Sequence, residues 1–156
     1  MQFEKSPQLM RDPLGGQRTG MALNEYAQQV RRSILEELPR LAPYLSDGPG
    51  GSLSICVPHP RIPTGLLIET EGDEITIGFQ EWHTHGDLLG GNSPEEHVSA
   101  ALEFIRRLLD DELQLVISYV DGAFQDAWVT DDPAKDDKYS APNEELLIGT
   151  WSTLAA

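Results

Sequence analysis

Two histidines, His83 and His85, have the residue type and the spacing best suited to chemistry in this sequence. They are two positions apart in a segment typical of a strand, so both side chains should point to one face, with backbones about 6.5–7 Å apart. That separation lets both imidazoles reach one metal ion, and zinc needs three or four such ligands, with one position left open if the site is catalytic. Side chains that could complete the site are Glu81, Asp87, Glu96, His97 and His59.

A longer run resembles the zinc signature of the JAMM-type isopeptidases. It reads His83-Thr84-His85, seven residues, Ser93, two residues, Glu96, whereas the family has His-Ser/Thr-His, seven residues, Ser, two residues, Asp. The resemblance implies that His83 and His85 bind zinc, that Glu96 is the third ligand, and that Ser93 stabilises an oxyanion. The sequence departs from the family in its Glu for Asp, in Gly86 where proline is usual, and in lacking a general-base glutamate beside a Cys-Gly pair.

Two other interpretations of the histidine pair stay open. The histidines could be a structural pair at the end of a strand, packed beside Trp82 and hydrogen-bonded to backbone or to Asp87, or they could bind a metal without catalysis. Other catalytic patterns are absent from the sequence, because it has no Gly-rich phosphate loop followed by Lys-Ser/Thr, no Gly-x-Ser-x-Gly and no Cys-x-x-Cys. Cys56, the single cysteine, lies in an apolar run and is predicted to be a small core thiol.

The charge is strongly negative and unevenly spread. The net charge is −15 over 156 residues. Residues 1–61 carry 7 basic and 6 acidic side chains, a balance of +1, whereas residues 62–156 carry 4 basic and 20 acidic ones, a balance of −16. A field of this sign repels nucleic-acid phosphates and anionic lipid, and it attracts basic proteins. A basic protein partner is therefore predicted; the alternative is that the acids only maintain solubility.

Three segments concentrate carboxylates at predicted turns or element ends, and they are the predicted partner-binding residues. The first segment has Glu69, Glu71, Asp73 and Glu74, the second Asp110, Asp111 and Glu112, and the third Asp131, Asp132, Asp136 and Asp137. The second segment follows a predicted helix, where its sign is unfavourable for the helix dipole. That placement favours a binding role, although any one segment could also be a solvated loop.

Hydrophobic periodicity predicts the elements that must position these residues. Apolar residues from Leu23 to Leu41 recur at helical spacing up to a break at Pro39, and a second helix should begin at Ser93-Pro94 and end before Asp110. Predicted strands are Leu53–Val57, Gly65–Thr70, Glu74–Thr84, Leu113–Val120, Ala123–Thr130 and Leu146–Leu154. In the third of these, Ile75, Ile77, Phe79, Glu81, His83 and His85 should share one face.

The order of these elements predicts an α+β protein. Because hairpin-type turns join the strands, we expect a mostly antiparallel sheet of five to six strands with two helices packed on one face. Residues 1–20 should form a flexible arm, and residues 21–156 a single domain. With no signal-peptide pattern and a single cysteine, a cytoplasmic location is expected.

The order of features over about residues 74–153 is similar to that of another group of proteins. A strand reading Ile-Thr-Ile-Gly-Phe-Gln-Glu-Trp-His-Thr-His-Gly-Asp precedes a helix containing Ala-Leu-Glu-Phe-Ile, then an Asp-Gly hairpin and a terminal Thr-Trp-Ser. This resembles small acidic, mostly uncharacterised bacterial proteins, some grouped with immunity proteins of polymorphic toxin systems. The resemblance implies stoichiometric binding of a cognate toxin, without catalytic residues or cofactor. The alternatives are a zinc-dependent hydrolase using His83, His85 and Glu96, and a regulator that binds no toxin.

Overall fold

The computed structural model describes residues 22–156 as two antiparallel sheets and two long helices that share a hydrophobic core. The arm predicted over residues 1–20 lies outside these described residues. None of the helices within 22–156 has the length and apolarity needed to cross a membrane.

The first helix, α1, spans Glu25–Glu37, and a 3-10 helix over Pro39–Tyr44 follows it. The side chain of Asn24 caps α1 by accepting a hydrogen bond from the amide of Ala27 at 2.7 Å. The helix stops just before the proline at position 39, as the sequence predicts, because a proline ring disfavours helix at the residue before it. The buried stripe of α1 consists of Tyr26, Ala27, Val30 and Ile34.

Five consecutive strands form an antiparallel sheet in chain order. They are β1 Leu45–Asp47, β2 Leu53–His59, β3 Ile62–Glu71, β4 Glu74–Gly78 and β5 His83–His85. We call the face that carries the buried residues Ile55, Ile68 and Ile77 the inner face. The opposite face is the open face.

The alternation of side chains along β2 places Cys56 on the open face. Its thiol is exposed, so the prediction of a core thiol is wrong. Leu53, Ile55 and Val57 are buried, and side chains alternate between the two faces of a strand, so Cys56 points to the opposite face. The apolar run is therefore a half-buried strand.

The strand predicted over Glu74–Thr84 is divided by a turn at residues 79–82. Phe79 is buried, and its amide donates a hydrogen bond to the carbonyl of Trp82 at 2.9 Å, which reverses the chain. Gly78 permits this turn, because a Cβ there would lie 2.5 Å from the same carbonyl oxygen.

The turn changes the face on which both histidines lie. Since β5 runs back along β4, His83 pairs with Gly78 and His85 pairs with Thr76. Both histidines therefore share the open face with Thr76. The prediction that they share a face with the isoleucines of β4 is wrong, because it assumed an unbroken strand.

The second long helix, α3, spans Pro94–Leu109 and follows the short helix α2 over Gly86–Leu89. Ser93 caps α3 as predicted, its hydroxyl accepting from the amide of Glu96 at 3.2 Å. The Glu96 carboxylate accepts a hydrogen bond from the amide of Asn92 at 2.6 Å, which also stabilises the start of the helix. The buried stripe of α3 consists of Val98, Ala101, Leu102, Ile105 and Leu108.

A second antiparallel sheet follows, with strand order β7-β6-β8. Its strands are β6 Gln114–Val120, β7 Ala123–Thr130 and β8 Glu144–Gly149, with helix α4 over Pro133–Lys138 between the last two. The strand predicted over Leu146–Leu154 ends early, and helix α5 occupies Trp151–Ala155. The hydroxyl of Thr153 accepts from the amide of Thr150 at 2.8 Å and so closes the first turn of α5.

The α+β class and the antiparallel strands are confirmed, but the strands belong to two sheets. Helix α1 packs against β2 and β3, and α3 packs against β4, so both long helices cover the inner face. The first sheet ends at the three-residue β5, which leads directly into α2. The strands after α3 pair among themselves in the second sheet.

His59 is a buried polar residue of the core, with 7% of its surface exposed. Its ring contacts Trp151, Nε2 donates to the Trp151 carbonyl at 3.1 Å, and Nδ1 accepts from the amide of Arg61 at 3.1 Å. Burial lowers the pKa of His59, the bond to Trp151 opposes that shift, and the charge of Arg61 adds to it. The folded protein therefore keeps this imidazole neutral at pH values where the unfolded chain protonates it.

We expect the stability to fall as the pH drops below about 6.5, the ordinary histidine pKa, with His59 contributing a slope of at most ~1.4 kcal/mol per pH unit. The sign follows because the unfolded state binds the extra proton. Urea unfolding between about pH 7 and pH 5 should show this slope. His59→Gln should reduce the slope by the contribution of one titrating histidine. An unchanged slope in the variant would contradict the assignment.

Candidate functional site

The open face of the five-stranded sheet presents two rows of side chains. One row crosses all five strands in register, through Ser46, Ser54, Glu69, Thr76 and His85. The second row crosses four strands in register, through Cys56, Leu67, Gly78 and His83. Because the long helices pack on the inner face, this face is left to make other contacts.

A groove of about 720 Å³ runs over the open face. Residues 46–49 line one side, and the histidines of β5 line the other. The groove contains the carboxylates of Asp47, Glu69 and Glu71, and none of its lining residues is a lysine or an arginine. Its charge therefore complements a cationic ligand.

The two histidines form a close pair beside this groove. Their ring centroids are 5.1 Å apart, with the planes at 74°. Nδ1 of His83 donates to the carbonyl of Glu81 at 3.2 Å, and Nδ1 of His85 lies 3.0 Å from the hydroxyl of Thr76. The carboxylate of Glu74 lies 3.6 Å from the same nitrogen of His85. Backbone and side-chain partners thus orient both rings.

The third predicted zinc ligand, Glu96, is held at the start of α3. Its carboxylate accepts from the backbone, and the Ser93 hydroxyl that would stabilise an oxyanion caps the same helix. His59 is buried in the core, whereas Asp87 and His97 line a different cavity. Within residues 22–156 no group of three or more His, Cys, Asp or Glu side chains is arranged to hold a metal ion.

The first acidic segment surrounds the hairpin between β3 and β4. Glu69 and Glu71 line the groove, while Asp73 and Glu74 line a smaller cavity, and the Glu74 carboxylate also lies near His85 of the groove. Asp73 and both groove glutamates have no ion pair with another described residue. Of the three segments, this one joins the groove.

The second acidic segment is occupied by interactions within the protein. Asp110 forms ion pairs with Arg40 at 2.8 Å and with Arg106 at 3.1 Å, and Glu112 forms one with Arg106 at 2.7 Å. These bonds lower the pKa of both carboxyls, with Arg40 the main cause for Asp110 and Arg106 for Glu112. The ion pairs with Arg40 and Arg106 thus offset the unfavourable interaction of these negative charges with the dipole of α3.

The remaining acid of this segment, Asp111, fixes the last helix. Its carboxylate accepts from the amide of Ser152 at 2.9 Å and from the hydroxyl of the same residue. These two hydrogen bonds lower the pKa of Asp111. The segment 110–112 therefore joins α3 to α5 and to the residues after α1.

The third acidic segment lies in and before α4. Asp132 caps that helix by accepting from the amide of Lys135 at 3.2 Å, and Asp131 and Asp137 are exposed. One carboxylate oxygen of Asp136 is buried without a hydrogen-bond partner among the described residues. The hydrogen bonds and ion pairs of residues 22–156 do not connect this segment to the groove.

Several residues of the groove were not predicted, including Ser54, Leu67, Thr76 and Asp47. The signal that could have identified the first three is the period of two along each strand, since they alternate with buried residues. Asp47 belongs to a three-residue strand in a stretch that reads as a Gly-rich loop, so the sequence carries no comparable signal for it.

The chain matches no protein-family model, and comparisons with curated proteins and with solved structures find no match.

Proposed function

We propose that this protein is a binding module that holds a basic protein partner in a stoichiometric complex, as an immunity protein holds its toxin. The observation that supports this most directly is the groove on the open face, which combines Asp47, Glu69 and Glu71 with no basic lining residue. A groove of one charge sign attracts the opposite sign and accelerates association with it.

The overall charge supports the same proposal. The segment 62–156, which includes most of the groove, has a balance of −16 from 4 basic and 20 acidic residues. Two of those four basic residues, Arg106 and Arg107, are paired with acids at the end of α3. The proposal includes a cytoplasmic location, which suits the exposed thiol of Cys56.

The zinc-hydrolase alternative has less geometric support. Only His83 and His85 are brought together, and Ser93 and Glu96 serve the start of α3. Immunity proteins are encoded beside their toxins, so the product of the neighbouring reading frame is the partner to test.

We expect this partner to bind one to one and to respond strongly to salt. Raising the ionic strength from about 0.1 M to about 1 M shortens the Debye length from ~10 Å to ~3 Å, and should weaken the affinity by at least about tenfold. Titration calorimetry measures both stoichiometry and affinity.

The exposed thiol of Cys56 provides a check on where the partner binds. A saturating partner should slow alkylation of Cys56 on the order of tenfold, because an interface core excludes water and reagent. Salt-insensitive binding, or an unprotected thiol in a saturated complex, would contradict the proposed surface. Failure of the partner to bind at low salt would contradict the function.

A further inference from the structure

A second acidic cavity, distinct from the groove, lies between the β3–β4 hairpin and the helices α1, α2 and α3. Its volume is about 190 Å³, and its polar lining is Tyr26, Asp73, Glu74, Asp87 and His97. Neither lysine nor arginine is among its lining residues.

Tyr26, which lines this cavity, has an unpartnered hydroxyl that is influenced by the charges of two other lining residues, Asp73 and Glu74. The residue is 8% exposed, and its oxygen is buried without a hydrogen-bond partner among the described residues. Leaving such a group unsatisfied costs free energy, so a ligand that hydrogen-bonds to it gains affinity. The unpartnered hydroxyl of Tyr26 therefore points to a ligand independently of the acidic residues.

Burial and the negative charge around the cavity disfavour ionisation of this hydroxyl. Burial, together with the charges of Asp73, Glu74 and Glu95, raises the pKa of Tyr26 to about 12. The phenol keeps its proton at neutral pH, as an ordinary tyrosine does, so its oxygen can accept a hydrogen bond and its O–H can donate to a carboxylate.

We propose that this cavity binds a primary ammonium group, the end of a lysine side chain of the basic partner. The cavity offers carboxylates from the hairpin and from α2 and a phenol oxygen from α1, which are acceptors on three different elements. An ammonium has three rotatable donors for such scattered acceptors, whereas a guanidinium is a planar fork suited to one bidentate carboxylate. The assignment to a partner's lysine rests on the proposed function; the ammonium site itself does not.

The test uses n-butylammonium as the probe, with tetramethylammonium as a control of equal charge that has no N–H donor. In ¹H–¹⁵N spectra of the full chain, n-butylammonium should cause saturable shifts at Tyr26, Asp73, Asp87 and His97, and the control should not. Tyr26→Phe should weaken binding at least about tenfold, a loss typical of an unpaired buried group, and Asp87→Asn should weaken it as well, because it removes one of the attractive charges. Asp121→Asn, at an exposed turn, should bind as the unmodified protein does.

The stability of Tyr26→Phe distinguishes a binding role from a structural one. If the hydroxyl has no internal partner, its removal should leave the free energy of unfolding unchanged or increase it. The site would be overturned if Tyr26→Phe were destabilised or if this variant bound n-butylammonium as tightly as the unmodified protein. Equal binding of n-butylammonium and tetramethylammonium to the unmodified protein would overturn it too. If the n-butylammonium results confirm the site but the basic partner binds Tyr26→Phe and Asp87→Asn as tightly as the unmodified chain, the assignment to a lysine is wrong and the proposed function is unaffected. If no basic partner binds, the proposed function fails while the n-butylammonium result stands alone.

Discussion

Changing both Glu69 and Glu71 to lysine in one variant should weaken binding of the basic partner by about 100-fold, or ~2.8 kcal/mol. Both side chains are exposed and line the groove. The change removes two attractive charges and places two repulsive ones opposite the cations of the partner, and like charges across an interface cost several kcal/mol.

The structure indicates that this double variant will fold. Neither glutamate belongs to the core or forms an ion pair within the described part of the chain. Glu71 also lies directly opposite Glu74 in the sheet, so a lysine there replaces a like-charge pair with an attractive one.

A matched control is available on α1. Glu36 and Glu37 are exposed and belong to none of the three acidic segments, and their change to lysine alters the net charge equally. Titration calorimetry should show the large loss for the groove variant and only a small one for the control. Equal losses in the two variants would show that net charge, and not the groove, attracts the partner.

Gly65→Ala should destabilise the protein by about 2–5 kcal/mol. Gly65 has φ +66°, a left-handed conformation that costs an alanine roughly 1–2 kcal/mol. In addition, a Cβ there would overlap the carbonyl oxygen of Val57, where the register between β2 and β3 shifts. Relieving that overlap means moving backbone in the middle of the sheet, at a cost of about 1–3 kcal/mol.

Gly72→Ala separates the two contributions. Gly72 has a similar φ of +61°, but a Cβ there would meet nothing within 4 Å. Its change to alanine should therefore cost only about 1–2 kcal/mol. Urea unfolding of both variants measures the difference, and equal costs would show that the close approach at Gly65 is relieved without penalty.

The elements that follow from local sequence were predictable. The stripe of α1, the Ser93 cap of α3 and the Asp-Gly hairpin between β6 and β7 each depend on neighbours within a few residues. The groove was predictable in part, because the density of carboxylates at a turn indicates Glu69 and Glu71.

The remainder depends on contacts between distant parts of the chain. The alternation of polar and apolar residues continues through Gly78 and Phe79, so nothing local shows that the chain reverses there and moves both histidines to the open face. Two of the partners of the acids at 110–112, Arg40 and Ser152, are far away in sequence, so the charge run alone predicts a binding segment where the fold has internal contacts.

The edges of the five-stranded sheet restrict how a partner can be recognised. Its outer strands, β1 and β5, have three residues each, too few to template the addition of another strand. Backbone pairing, which accepts almost any extended sequence, is therefore not available at these edges. Under the proposed function, discrimination between partners at this sheet comes from individual side chains, and a few substitutions on two facing surfaces are enough to make each pair exclude the others.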